Sequence, residues 1–397
     1  MFLRVCALAS LPVHSRRERA CTKGRDEVES MKFKAAVLNA VGRPLEIETL
    51  EMQPLEPGDV LVRVRASGLC HTDLEVIQGS LAYPMPIVLG HEGAGVVEAV
   101  GEGVSRVKPG DHVILSWNPH CGHCFYCERD LPILCEPFTR HQPQGHLLDG
   151  SSRMRRGGGT VPHSSVTSTH AQYTVVPESG AIPISREMPF DVACIIGCGV
   201  MTGVGGVVRK ARVSPGSSVA VIGCGAVGLN AVQGARLAGA SQIIAVDLGA
   251  DRLERARAFG ATHGVDGGGD AVAGVKALTA GRGADYVFEA AGNAKVFRTA
   301  VEMVRPGGEV VWLGKVNVDA EVSFRWGSLM GERRIVRSSY GNARPSRDFP
   351  WLVDEYLAGR LKLNELITRR ISLDEINDGF AMLARGEGIR TVVMFGD

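Results

Sequence analysis

The sequence predicts an α/β protein of two parts, a β-rich unit followed by a doubly wound parallel sheet. Three observations carry this. Short β-rich runs broken by Gly and Pro fill the first third of the chain. Strands and helices alternate from Ser218 onward. Between them lies a cysteine lobe, Cys121-Gly-His-Cys124-Phe-Tyr-Cys127 followed by Cys135. At 397 residues the chain is long enough for two separate cores.

Residues 1–30 differ in character from the rest of the chain. Arg4, Arg16, Arg17, Arg19 and Arg25 flank a short apolar run from Val5 to Val13. A targeting peptide has such arginines, but Glu18, Asp26, Glu27 and Glu29 are atypical of one. The segment reads as a disordered or non-native N-terminal extension, with a strand starting after Met31 at Lys32-Phe-Lys-Ala-Ala-Val-Leu38. Val60-Leu-Val-Arg-Val-Arg65, Gly95-Val-Val-Glu-Ala-Val100 and His112-Val-Ile-Leu115 read as further strands. Pro57-Gly58 and Pro109-Gly110 mark turns before two of them. Residues 136–170, polar and Gly-rich, read as a long surface loop. A helical stretch containing Cys194 and Cys198 comes after Pro189.

Ser218-Val-Ala-Val-Ile222 is a buried strand, and a helix runs from the glycines after it to Leu237. Strand Ile243–Asp247, helix Asp251–Phe259, strand Tyr286–Phe288, helix Ala294–Val304 and strand Glu309–Leu313 continue the alternation. Such alternation implies a parallel doubly wound sheet. Toward the C-terminus come an amphipathic helix Phe349–Ala358, another after Leu373, and a strand Thr391–Phe395.

The bulk composition excludes several functions. Charge is balanced, 44 basic residues against 43 acidic, so no basic field points to nucleic acid. No uninterrupted apolar run reads as a membrane span. Free thiolates that bind metal need a reducing compartment, which points to the cytoplasm.

The C-x2-C-x2-C-x7-C spacing lets one short lobe present four thiolates tetrahedrally to zinc, a closed site of the structural kind. An iron–sulfur cluster also takes four cysteines, so the remaining chain must decide between them. Gly223-Cys-Gly225-Ala-Val-Gly228 sits between a buried strand and a helix, with Asp247 ending the next strand. This is the context that makes a G-x-G-x-x-G motif a dinucleotide site. Gly223 makes the tight turn, Gly225 admits a pyrophosphate at the helix N-terminus, and Gly228 permits close packing. Asp247 accepts ribose hydroxyls and repels a 2′-phosphate, favouring NAD over NADP. Three scattered groups, Cys70, His91 and Cys198, offer two thiolates and an imidazole, which leave one open position on a tetrahedral zinc. Spacing this wide is not diagnostic by itself.

The segments Cys70-His-Thr-Asp73, Gly90-His-Glu-Gly93 with its continuation to Val104, the cysteine lobe, Val221–Ala240 and Gly386–Val393 occur in this order. Together they resemble the zinc-dependent alcohol dehydrogenases of the medium-chain dehydrogenase/reductase family, in the branch of the classical and class III enzymes. The resemblance runs from about Met31 to the C-terminus. It implies a GroES-like β-rich catalytic domain with a structural-zinc lobe over residues 31–200. A doubly wound Rossmann NAD-binding domain would occupy 201–340, and residues 341–397 would return to the catalytic domain. It also implies two zinc ions per chain, NAD, and a homodimer or homotetramer.

Position by position, the resemblance makes Cys70, His91 and Cys198 catalytic-zinc ligands and Cys121, Cys124, Cys127 and Cys135 structural-zinc ligands. Asp73 would orient His91, Glu92 would stand beside the metal, and Thr72 would bond the substrate oxygen. His71 and Arg390 would meet the pyrophosphate and Arg252 the adenosine ribose. Trp117 would line and narrow the substrate pocket. Many relatives carry a histidine five residues after the first zinc cysteine; here it is Glu75, a group that could also take up a proton.

The implied activity is oxidation of alcohols to aldehydes or ketones with hydride transfer to NAD, primary alcohols favoured. An alternative substrate is S-(hydroxymethyl)glutathione. Against it, Gln78-Gly-Ser-Leu-Ala-Tyr83 replaces the expected acidic segment in a shorter loop, and Arg140 is offset by one residue from the expected basic position. Fold alone would also allow a non-catalytic NAD-binding protein.

Overall fold

The alternating run around Val60–Arg65 folds as the middle of a long strand, and the N-terminal unit is built on it. The computed structural model describes residues 31–396; the expected extension 1–30 lies outside them. Ten strands come before the first long helix among the described residues: β1 (Lys32–Leu38), β2 (Glu46–Met52), β3 (Asp59–Gly68), β4 (Ile87–Val88), β5 (Glu92–Val100), β6 (His112–Leu115), β7 (Met154–Arg156), β8 (Gly159–Val161), β9 (Tyr173–Pro177) and β10 (Ala181–Pro183). They form two sheets, one ordered β4-β1-β2-β7-β8 and one centred on β3 and β5. In β3 most side chains on both faces are buried, so its hydrophobic residues serve two cores at once.

Residues 136–170 differ from the expected surface loop. They contain a helix, Glu136–His141, and the β7–β8 hairpin, which extends the sheet through β2. Ser164 to His170 are all buried. The polarity misled because these hydroxyls are partnered by backbone: Thr167 Oγ1 donates to Gly90 O at 3.1 Å and Ser168 Oγ to Val88 O at 2.8 Å. A bonded hydroxyl is tolerated inside a protein.

A continuous helix of 22 residues, Phe190–Ala211, joins the two parts. Contrary to the expectation of no such segment, it is long and apolar enough to cross a membrane. Its most apolar window is 78% buried inside the protein, which marks it as a core helix. Two wider π-type turns interrupt it, Ile196–Val200 and Gly206–Ala211, a distortion common at functional sites. Cys198 lies in the first.

The second part is a six-stranded parallel sheet of β11 (Ser218–Ile222), β12 (Gln242–Asp247), β13 (His263–Asp266), β14 (Ala284–Glu289), β15 (Val304–Trp312) and β16 (Arg334–Arg337). Its order is β13-β12-β11-β14-β15-β16, so the winding reverses between β11 and β14. Ligands bind at such a reversal, outside the carboxyl ends of the strands. The chain then adds β17 (Ile367–Ile371) and β18 (Arg390–Met394), and β18 pairs antiparallel with β3 through Val392 opposite Gly68. The C-terminal strand is thereby built into the N-terminal sheet.

Glu289 ends β14 at the reversal, fully buried. Its Oε1 accepts the N–H groups of Ala291 at 2.9 Å and Gly292 at 2.8 Å. Burial raises its pKa from 4.5 to about 7 despite those bonds. A carboxyl whose folded pKa is raised stabilises the fold below its unfolded pKa and loses that contribution as pH rises through the folded value. Stability should therefore fall between about pH 4.5 and 7 by on the order of 3 kcal/mol from this group alone. Replacing Glu289 with Gln removes that slope. The melting temperature of the variant relative to the parent should rise across this window, and a constant difference would contradict the assignment.

Candidate active site

β3 and β5 lie antiparallel with Gly68 opposite Glu92. This register brings Cys70, just past the end of β3, beside His91, just before β5. The approach is close: a Cβ on Gly68 would lie 2.4 Å from Glu92 Oε2, so only glycine leaves room for that carboxylate. The π turn of the long helix delivers Cys198 from the other side. The ligand atoms of Cys70, His91, Glu92 and Cys198 all lie within 4.8 Å of one another. Tetrahedral zinc, with Zn–S bonds of about 2.3 Å, sets its sulfurs roughly 3.8 Å apart, so the donor set fits that ion.

The electrostatics agree. The hydrogen bond from Cys198 holds the Cys70 thiol well below its usual value, burial opposing. The same contact and burial push Cys198 well up. Burial acts to lower the His91 pKa, but the Asp73 carboxylate and Cys70 hold it well above the usual value. Two thiols and an imidazole sharing protons this closely are suited to a cation, which displaces those protons.

Asp73 is 1% exposed. Its Oδ1 accepts the Gly90 N–H at 3.0 Å and stands 3.2 Å from His91 Nδ1. That leaves the opposite ring nitrogen of His91 for a metal. Glu92 is fully buried; burial raises its pKa to about 8 against the pull of Arg390. Arg390 Nη2 donates to Glu92 Oε1 at 2.5 Å and Nη1 donates to Leu69 O at 3.0 Å. Each Nη atom of Arg390 thus has an acceptor inside the protein and keeps a second N–H.

The other expected residues are placed more loosely. Thr72 sits on the first turn of the helix His71–Gln78, half-buried and two residues from Cys70. His71 and Arg252 are exposed. Trp117 stacks on Tyr340 with ring centroids 4.2 Å apart, and Tyr340 Oη donates to Gly197 O beside Cys198. Glu75 is bound by Lys315 Nζ at 2.5 Å, an ion pair that links the first helix to the segment after β15.

Sequence reasoning missed Tyr340, Lys315 and the buried group Ser67, Thr169 and His170. None carries a motif. Lys315 and Tyr340 come from the second part of the chain and meet the site only where the two parts pack together, and the Ser67 group lies within what reads as an ordinary strand and a polar loop.

In the cysteine lobe Cys121, Cys124, Cys127 and Cys135 also keep their sulfurs within 4.8 Å of one another. Backbone N–H groups point at the sulfurs, Cys121 N to Cys135 Sγ at 3.3 Å and Glu136 N to Cys124 Sγ at 3.5 Å. Such donors favour thiolate. Although burial opposes it, the Glu136 N–H helps bring Cys124 to about 6, while burial pushes Cys135 to about 12. The set fits a closed zinc site.

The turn after β11 fits a dinucleotide. Gly223 has φ +89, and a Cβ on Gly228 would lie 1.7 Å from Gly223 O. At Gly225 a Cβ would meet nothing within 4 Å, so the backbone there faces open space, as a pyrophosphate requires. Asp247 Oδ2 accepts the Cys224 N–H at 2.7 Å and Oδ1 the Gly249 N–H at 3.1 Å, fixing the carboxylate at the lip of the turn.

Comparison with known proteins gives matches over nearly the same span. The family model described as "Alcohol dehydrogenase GroES-like domain" matches residues 56–189, and "Zinc-binding dehydrogenase" matches residues 226–358. The chain is 41% identical to the alcohol dehydrogenase class-3 of Cereibacter sphaeroides and 40% identical to the S-(hydroxymethyl)glutathione dehydrogenase of Paracoccus denitrificans. Each alignment covers 92% of this chain and 100% of the relative. Among solved structures, the benzyl alcohol dehydrogenase of Acinetobacter calcoaceticus superposes with a TM-score of 0.88 at 31% identity, covering 92% of this chain and 100% of that one.

Replacing Cys135 with Ser should lower bound zinc by one equivalent per chain, read by metal analysis. It should also destabilise the fold by more than about 3 kcal/mol, because loss of a structural metal is among the costliest single changes. Unchanged metal content would exclude the lobe as a zinc site.

Proposed function

The chain belongs to the zinc-dependent alcohol dehydrogenases of the medium-chain dehydrogenase/reductase family, and we propose that it oxidises the hydroxymethyl adduct of a thiol, of the S-(hydroxymethyl)glutathione kind. It is an NAD-dependent zinc enzyme acting on small alcohol or aldehyde substrates. The observation that carries the reading of the site is the convergence of Cys70, His91 and Cys198 within 4.8 Å, with Glu92 beside them.

In this reading Cys70, His91 and Cys198 hold the catalytic zinc, and the four lobe cysteines hold the structural one. When bound, the zinc would supply Lewis acidity and the NAD a hydride acceptor. The chain's own residues do the remaining work. Thr72 takes the proton from the substrate hydroxyl and passes it outward. Asp73 holds His91 in one tautomer. Glu92, held by Arg390, is a carboxylate within reach of the cation. The Gly223–Gly228 turn holds the pyrophosphate and Asp247 the ribose, with exposed His71 and Arg252 nearby. Trp117 and Tyr340 wall the pocket and exclude water.

The thiol-adduct substrate is supported by relatives of that name over nearly the whole chain. Simple primary alcohols are the second reading. It is supported by the structural match to a benzyl alcohol dehydrogenase and by the uncharged segment Gln78–Tyr83, which offers no carboxylate to a peptide amine. We also read the chain as a cytoplasmic homodimer. The edge strand β16 and the exposed Val318, Trp326 and Met330 nearby support an interface on the parallel sheet.

Formation of NADH is the test. With formaldehyde and NAD, turnover should depend on added glutathione or another low-molecular-weight thiol. Equal or faster turnover of benzyl alcohol without thiol would favour the second reading. Replacing Asp247 with Ser should narrow the preference for NAD over NADP by roughly tenfold or more, since a carboxylate facing a 2′-phosphate costs at least about 1.4 kcal/mol. An unchanged ratio would remove Asp247 from the ribose site.

A further inference from the structure

Asp73 has a second oxygen. Its Oδ1 is bonded to Gly90 N and His91, but Oδ2 has no hydrogen-bond partner among the described residues. The Nε2 of His170 is equally unpartnered there, on a side chain with no exposure, and lies 3.9 Å from that oxygen. The gap is too long for a direct hydrogen bond. Two unsatisfied buried polar atoms facing each other at this distance need only a small ring movement to pair.

The rest of the group fixes which way the protons run. For His91 to bind a cation through one nitrogen, its Nδ1 must carry the proton and donate to Asp73. Asp73 is then an anion, and its free oxygen calls for a donor. His170 supplies one if its proton is on Nε2. Its Nδ1 then accepts, and Ser67 Oγ stands 2.9 Å away to donate. Ser67 Oγ in turn lies 2.6 Å from Thr169 Oγ1, which donates to it. Every hydroxyl and ring proton in this chain has one consistent direction, toward the carboxylate. Burial holds the His170 pKa at about 4, which favours the neutral ring.

The backbone holds His170 in place. Its N–H donates to Leu89 O at 3.0 Å, and its own carbonyl accepts the Ala36 N–H at 2.9 Å. A Cβ on Gly90 would lie 2.7 Å from His170 Nδ1, so the glycine beside His91 makes room for this ring. The ring edge meets Phe380, centroids 5.7 Å apart.

We propose that His170 is a positioning residue of the reaction: its Nε2–H closes on the free oxygen of Asp73 and, through that carboxylate, fixes the orientation of His91. This rests on the reading of Cys70, His91 and Cys198 as the metal ligands. His170 touches neither substrate nor cofactor and acts only through Asp73.

The test uses full-length enzyme with cobalt in the catalytic site, read by its visible absorption and by the rate of metal loss to a chelator. Cys198→Ala checks the metal site itself: if the cobalt bands survive that change, the ligand reading fails, whatever His170 does. With the site verified, His170→Phe should shift the cobalt bands and speed metal loss roughly 10- to 100-fold. His170→Gln, which keeps an N–H donor near the same place, should restore most of both. Parent-like bands and metal loss in the Phe variant would overturn the proposal. So would a Gln variant that behaves like Phe, because packing rather than the hydrogen bond would then be the cause. If the Phe variant does not fold, His170→Leu replaces it in the comparison with Gln.

Discussion

Everything at the site depends on the antiparallel pairing of β3 with β5 in the register that sets Gly68 opposite Glu92. Slipping it by one residue would turn each side chain to the other face and separate Cys70 from His91. The register is held from both sides. Val60, Val62 and Val64 fill cores on alternate positions of β3, and β18 adds its own ladder of hydrogen bonds along the other edge. The cost is close approach, met by glycine at Gly68 and at Gly90.

The buried contact of Arg390 with Glu92 completes the arrangement. Both are almost without exposure, and burying such groups is costly unless each is well bonded. Here the arginine also reaches Leu69 O, next to Cys70. The pair therefore ties the first residue of the last strand to the two strands that carry the ligands. Removing one end would leave the other unpaired beneath the metal site, which is strongly destabilising.

The dinucleotide turn and the metal site are independent constructions that meet at one crevice. The first needs only local chain: a buried strand, three glycines and a helix. The second gathers residues from β3, β5, the long helix and β18. The contacts that join them include the stacking of Tyr340 on Trp117 and the ion pair of Glu75 with Lys315. The carboxylate at position 75 thus has a structural partner in addition to any part in moving a proton.

The sequence by itself determined what is local. The doubly wound alternation, the glycine turn with Asp247, and the four-cysteine lobe were legible because each is a short run whose spacing carries its geometry. The strand at His112–Leu115 is legible to the residue for the same reason. Only the tertiary structure decided what is distant. The burial of Ser164 to His170 depends on backbone acceptors 80 and 77 residues earlier in the chain, at Val88 and Gly90. The partner of Arg390 depends on β18 inserting beside β3. The closeness of His170 to Asp73 depends on both the loop and the strand register. Periodicity and motif spacing describe neighbours along the chain, whereas hydrogen bonds and metal ligation act on neighbours in space.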